Sequence, residues 1–206
     1  ASPPTAPSSL ATSVAGSTVN LSWATSTDNV GVTRYNLHRS TTSGFAPSPA
    51  NRIAQPTGLS YADSGVSPGS YFYKLTAEDA AGNLSPVSNT ASATVADTSP
   101  PSTPSNLAAT GGAGQASLTW TAATDNVAVT RYNLHRATTP GFTPTAGNRV
   151  AQPTLTSHTD TGLAAGTYYY KLTAEDAAAN ISAASNQATA TVTAPPTHSA
   201  CTTVTS

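Results

Sequence analysis

The side chains best suited to chemistry lie in a stretch that the chain contains twice. Thr27 to Arg39 reads Thr-Asp-Asn-Val-Gly-Val-Thr-Arg-Tyr-Asn-Leu-His-Arg, and Thr124 to Arg136 repeats it with only Gly31 changed, to Ala128. His38 and His135 are potential metal ligands or general bases, yet neither has a second His or Cys at ligand spacing, nor a nucleophile at a recognised separation. Asp28, Glu78 and Asp79, with Asp125, Glu175 and Asp176 in the second occurrence, are candidate Ca²⁺ ligands if the loops carrying them meet at one pole. Capping of Asx turns by the same side chains explains them at least as well. No nucleophile, base and orienting group fall at a recognised spacing, so no catalytic residue, cofactor or enzyme activity is expected.

Those residues are carried by a duplication. Leu10 answers Leu107, Trp23 answers Trp120 and Lys74 answers Lys171, all at an offset of 97. Roughly 53 of the 93 aligned positions are identical between Pro3–Val95 and Pro100–Val192, which makes two domains of one kind. The expected division is a first domain over 1–95, a linker over 96–99, a second domain over 100–192 and a tail over 193–206. Pro100, Pro101 and Pro104 make the connection a semi-rigid extended spacer.

Composition narrows the partners. Charged residues are 8% and the formal net charge is −1, so the basic footprint of a nucleic-acid binder is missing. No apolar run is long enough to span a bilayer, and membrane insertion is not expected. Ala1, with no charged and apolar leader before it, reads as a mature N-terminus or as the start of a trimmed piece. A secreted or cell-surface location is the expectation.

Turn signals divide each copy into short alternating segments. In copy one the expected strands are 8–12, 18–24, 32–41, 52–55, 60–63, 70–78 and 88–95. Val19, Leu21 and Trp23 share one face of the second, so Trp23 and Trp120 belong to a core rather than to a sugar-stacking surface. In the third, Tyr35 and Leu37 point inward while Arg34, Asn36 and His38 point outward. Seven such strands without helical periodicity argue an all-β fold: two seven-stranded antiparallel sandwiches in tandem. Chains that enter at one pole and leave at the other would run head to tail as a rod, each bead about 30 Å long at ~3.3 Å per residue.

The unit resembles a fibronectin type III domain of the bacterial kind, and the resemblance covers both copies. It is carried by Pro7 and Leu10, Trp23, Thr27-Asp28-Asn29-Val30, Tyr35-Asn36-Leu37, Val66-Ser67-Pro68-Gly69-Ser70-Tyr71, Ala77-Glu78-Asp79-Ala80-Ala81-Gly82-Asn83 and Ser88-Asn89. The resemblance implies immunoglobulin-like sandwiches in which Tyr71 and Tyr168 are corner tyrosines.

Three features remain open to function. The outward face of Asn36, His38, Phe72, Lys74 and Thr76, with Asn133, His135, Tyr169, Lys171 and Thr173 in copy two, mixes an aromatic with hydrogen-bonding groups. It suits a saccharide or a protein partner, or is an ordinary solvated sheet face. Cys201, the single cysteine, suggests an intermolecular bridge. The tail around it is expected to dock on a neighbouring copy by strand addition. The leading expectation is a non-catalytic extracellular spacer or subunit of a surface or filamentous assembly, self-associating or flanked by other domains. The rival is an accessory region, carbohydrate-binding or spacing, of a secreted polysaccharide-degrading enzyme.

Overall fold

A computed structural model of the chain describes residues 2–196, and these divide after Asp97 into two compact units. The first holds β1 (Ser8–Ala15), β2 (Thr18–Ala24), β3 (Val32–Ser40), β4 (Arg52–Ala54), β5 (Ser60–Asp63), β6 (Gly69–Asp79) and β7 (Ala91–Val95). The second holds β8 (Ser105–Gly111), β9 (Gln115–Thr121), β10 (Val129–Ala137), β11 (Arg149–Ala151), β12 (Ser157–Thr161), β13 (Gly166–Asp176) and β14 (Ala188–Val192). Each unit pairs a three-stranded sheet, in the order β1-β2-β5 or β8-β9-β12, with a four-stranded sheet, β4-β3-β6-β7 or β11-β10-β13-β14. Every strand pair within the sheets is antiparallel. Among the described residues, no helix is long and apolar enough to cross a membrane.

Alternation decides which side chains meet between the sheets. Val19, Leu21 and Trp23 of β2 bury against Tyr35 and Leu37 of β3 and Tyr73, Leu75 and Ala77 of β6. Trp23 meets Tyr35 edge to face at 5.5 Å, a geometry that adds about 1 kcal/mol beyond the area it buries. The Tyr35 hydroxyl accepts from the Ser26 amide at 3.0 Å. Tyr73 donates to Asp63 Oδ2 at 2.9 Å, and Arg39 Nη1 reaches the same oxygen at 2.8 Å. Those contacts tie β6 to β5 across the sandwich. Burial, reinforced by Asp63, pushes the Tyr73 phenol well above its ordinary range.

Two strand boundaries of the first unit differ from the sequence expectation by three residues, the others by one at most, and both have identifiable reasons. β1 runs on to Ala15 because Gly16, at φ +59°, turns the chain only there. β7 begins at Ala91 rather than residue 88 because Ser85 and Ser88 pair with β6 through their side chains. Ser88 donates its amide to the Leu75 carbonyl while its hydroxyl takes the Leu75 amide, both at 2.9 Å. Ser85 does the same at Ala77, with 2.9 and 2.8 Å. The corner tyrosines are in place: Tyr71 Oη donates to the Ser67 carbonyl at 3.0 Å and Tyr168 Oη to that of Ala164 at 3.1 Å.

Both units share a bulge in the first strand. Ser9 and Asn106 adopt φ +54°, the register slips past them, and the next residue, Leu10 or Leu107, turns into the core. The Asn89 amide clamps Leu10, accepting from its N–H at 3.0 Å and donating to its carbonyl at 2.9 Å. Asn186 clamps Leu107 at the same distances. The second unit also has a close approach of its own: a Cβ on Gly111 would lie 1.9 Å from the Thr191 carbonyl oxygen.

Candidate functional site

The β3–β6 register sets a polar stripe on the outer face of the four-stranded sheet. Arg34 lies opposite Glu78, Asn36 opposite Thr76 and His38 opposite Lys74, and β10–β13 repeats the arrangement. Strand alternation puts these side chains away from the core, as expected, but most of them are not exposed. Asn36 retains 2% of its accessible surface, His38 5% and Thr76 6%. The cause is the Gly/Pro/Ser-rich excursion between β3 and β4, which folds back over the stripe. Its anchor is the 3₁₀ turn Pro49–Asn51. Asn51 Oδ1 takes the Ser48 amide at 2.9 Å and its Nδ2 donates to the Ala46 carbonyl at 2.8 Å. Asn148 does the same for Thr145 and Thr143.

The covered polar groups are bonded to one another. Glu78 receives Arg34 Nη2 on Oε1 and Asn36 Nδ2 on Oε2, the latter at 2.9 Å. Asn36 Oδ1 accepts from Gln55 Nε2 at 2.7 Å and lies 3.4 Å from Arg52 Nη1. The Arg34 guanidinium, and after it Asn36, hold the Glu78 carboxyl below the usual carboxylate range. His38 Nδ1 faces two acceptors, Asn51 Oδ1 at 2.9 Å and the Ser48 carbonyl at 3.2 Å. The proton therefore sits on Nδ1, and Nε2 is left as an acceptor. Burial pushes the imidazole below its ordinary value, so it is neutral at pH 7. Asn133, Glu175 and His135 repeat these contacts.

Lys74 and the aromatic of the face take no part in the stripe's network. Lys74 Nζ donates to the Phe45 carbonyl at 2.6 Å and stands 5.0 Å from that ring's centre; Lys171 and Phe142 are related in the same way. Both lysines fasten the excursion down. Phe72 is half-buried between Ser40 and Ser92, and Tyr169 between Ala137 and Thr189. The continuous platform of Asn36, His38, Phe72 and Lys74 expected from alternation is therefore divided.

The space left beside the excursion is a groove of about 580 Å³. Asn36, His38, Thr76 and Glu78 form its floor, and Pro47, Pro49, Leu84 and Val87 are among its walls. Thr76 Oγ1 is buried there without a hydrogen-bond partner. The corresponding groove of the second unit holds about 190 Å³. Pro49, Gly82, Leu84 and Val87 are replaced there by Ala146, Ala179, Ile181 and Ala184. The walls and Arg52 were not legible beforehand, because they come from segments without periodicity. The available signal was that Asn51 and Arg52 recur as Asn148 and Arg149, with Gly44-Phe45 and Pro47 as Gly141-Phe142 and Pro144, inside excursions that differ at the positions between.

The expected three-carboxylate sets are only partly brought together: in the second unit Asp125 and Asp176 place carboxylate oxygens within 4.8 Å of one another, without Glu175. Asp28 Oδ2 accepts the Val30 and Gly31 amides at 2.8 and 2.9 Å, an Asx turn, and Asp125 does so for Val127 and Ala128. Asp79 Oδ1 takes the Ala81 and Asn83 amides, each at 2.9 Å, and its Oδ2 takes Asn83 Nδ2 at 2.7 Å. Asp176 holds Asn180 in the same manner. Glu78 and Glu175 face the Arg–Asn network instead of joining them. The Asx-turn contacts expected of these aspartates are thus present in both units. Cys201 and residues 197–206 of the tail lie outside the described residues.

No protein-family model matches the sequence. The chain is 42% identical over 183 residues to chitinase A1 of Niallia circulans, covering 85% of this chain and 24% of that protein. It is 36% identical over 211 residues to exoglucanase B of Cellulomonas fimi, covering 96% and 18%. Exoglucanase A of the same organism is 40% identical over 198 residues, covering 88% and 21%. The chain thus spans about a quarter or less of the length of these curated relatives. A crystal structure of chicken CNTN1 FN1–FN3 domains aligns with a TM-score of 0.47 at 16% identity, over 96% of this chain and 69% of that one.

Proposed function

Since the chain is a tandem of fibronectin type III domains, we propose that it is a non-catalytic accessory region of a secreted polysaccharide-degrading enzyme. One observation carries this reading: nearly the whole chain matches only about a fifth of each of several proteins named chitinase or exoglucanase. A segment that recurs as a small fraction of enzymes with different names is a module added to their catalytic parts. Two further features support it. Side chains fill both sandwich interiors, and the acidic groups at the site are engaged by Arg, Asn and backbone partners rather than poised for proton transfer.

An extracellular location follows from the same reading. The alternative, a subunit of a surface or filamentous assembly, depends on the tail and Cys201 and draws nothing from these relatives. The enclosing open reading frame tests the proposal: a glycoside-hydrolase domain in the same polypeptide is expected, and its absence would overturn the reading. The isolated chain is expected to release no reducing sugar from colloidal chitin or amorphous cellulose.

A further inference from the structure

We propose that the groove of the first unit is a binding site for one neutral glycosyl residue of a polysaccharide, and that the second unit lacks such a site. The inference rests on the accessory reading above for its ligand class, and on the groove for its chemistry.

Three polar residues line the groove with hydrogen-bonding capacity to spare. Thr76 Oγ1 is buried and unpartnered, and a hydroxyl can donate and accept at once. A hydroxyl left buried without a partner is destabilising, and a ligand hydroxyl admitted to it would relieve this. His38 has its Nδ1 proton committed to Asn51 and Ser48, so it offers an Nε2 lone pair. Arg52 meets Asn36 through one Nη1 contact and retains further N–H donors. A ligand that satisfies all three must give a proton to an imidazole nitrogen and take one from a guanidinium within a few ångströms. Adjacent hydroxyls of a pyranose do this. Pro47, Leu84 and Val87 supply apolar wall for the C–H faces of the same ring.

Charge and size restrict the class. Glu78 lies on the floor, paired with Arg34; a sugar carboxylate could reach only Arg52 there and would have to sit beside the Glu78 anion, a repulsion that a neutral hydroxyl does not meet. Small-molecule sites usually enclose about 300–1,000 Å³. The first groove, at about 580 Å³, falls inside that range and the second, at about 190 Å³, falls below it. The second unit keeps His135, Asn133 and Thr173 at its groove. What it lacks is room.

The test is a titration of the full chain with cellotriose and with chitotriose, followed by the imidazole ¹⁵N signals. His38 Nε2 is expected to shift saturably with at least one of them while His135 stays still. Thr76→Val should weaken binding about five- to tenfold, the loss of one hydrogen bond, and Thr173→Val should leave it unchanged. Val87→Trp, made on an exposed wall residue, should abolish binding without disturbing the core, and the His135 signal reports that the fold is intact. A silent His38 with both saccharides would sink the proposal. So would equal shifts at both histidines, an unaffected Thr76→Val, or tighter binding of a galacturonate trimer. A hydrolase domain in the reading frame together with a silent His38 would leave the accessory reading standing and remove only the groove. Saturable binding without such a domain would do the reverse.

Discussion

Glu78 and His38 are neighbours on one polar stripe, and both resist protonation for different reasons. Glu78 is held ionised by donors from Arg34 and Asn36, whereas His38 is held neutral by burial. The signs agree, because each group binds its proton more readily in the unfolded chain than in the native one. The histidine contribution is fully present above its ordinary value of 6.5 and is lost as pH falls through the lowered native value. The glutamate contribution is present above 4.5 and is lost at lower pH. Stability measured by urea unfolding should therefore fall in two stages on acidification. His38→Gln with His135→Gln should flatten the upper stage and leave the lower one. A profile unchanged by that pair would mean the imidazoles are not buried as described.

At the scale of elements, the alternation of β2, β3 and β6 announced the sandwich, because a period of two reports directly which residues share a sheet face. It could not report what lies over the outer face. Asn36 and His38 were rightly assigned outward, and were buried only by an excursion whose 3₁₀ turn and Asn51 contacts carry no periodic signature. The same limit applies to Ser85 and Ser88, whose hydroxyls stand in for backbone carbonyls and so read as loop. Ser88-Asn89 was visible as a motif but its role was not: Asn89 closes the bulge at Leu10, 79 positions away. Asn89→Ala should destabilise the first unit by about 1–2 kcal/mol, since it removes two hydrogen bonds from the Leu10 backbone. Asn89→Asp, which keeps only the acceptor, should recover part of that loss in the same thermal melt. Gly111 offers a contrast between the copies. Gly111→Ala drives a Cβ into the Thr191 carbonyl and should cost about 1–3 kcal/mol. Val14→Ala, at the equivalent and exposed position of the first unit, should change stability by less than about 0.5 kcal/mol. Equal effects of the two substitutions would argue against the close approach.

For the whole molecule, the duplication was the plainest signal in the sequence, since an ungapped offset of 97 needs no physical interpretation to be seen. Its functional meaning needed the side chains, because the grooves diverge through wall residues that look interchangeable in sequence: Val87 against Ala184, Pro49 against Ala146. The strand registers, in contrast, did not diverge. Each β3–β6 pair from Val32↔Asp79 to Ser40↔Phe72 has its counterpart from Val129↔Asp176 to Ala137↔Tyr169, slip included. A collapsing chain can therefore match β3 with β13, or β10 with β6, and find nearly every partner it would find at home. Refolding from guanidinium should show a slow minor phase that is independent of protein concentration and insensitive to a prolyl isomerase, as expected for exchange within one chain. If all slow amplitude disappears with the isomerase, proline alone accounts for it. Shared register gives each strand two valid addresses in the same polypeptide, and correct delivery depends on the nearer one being reached first.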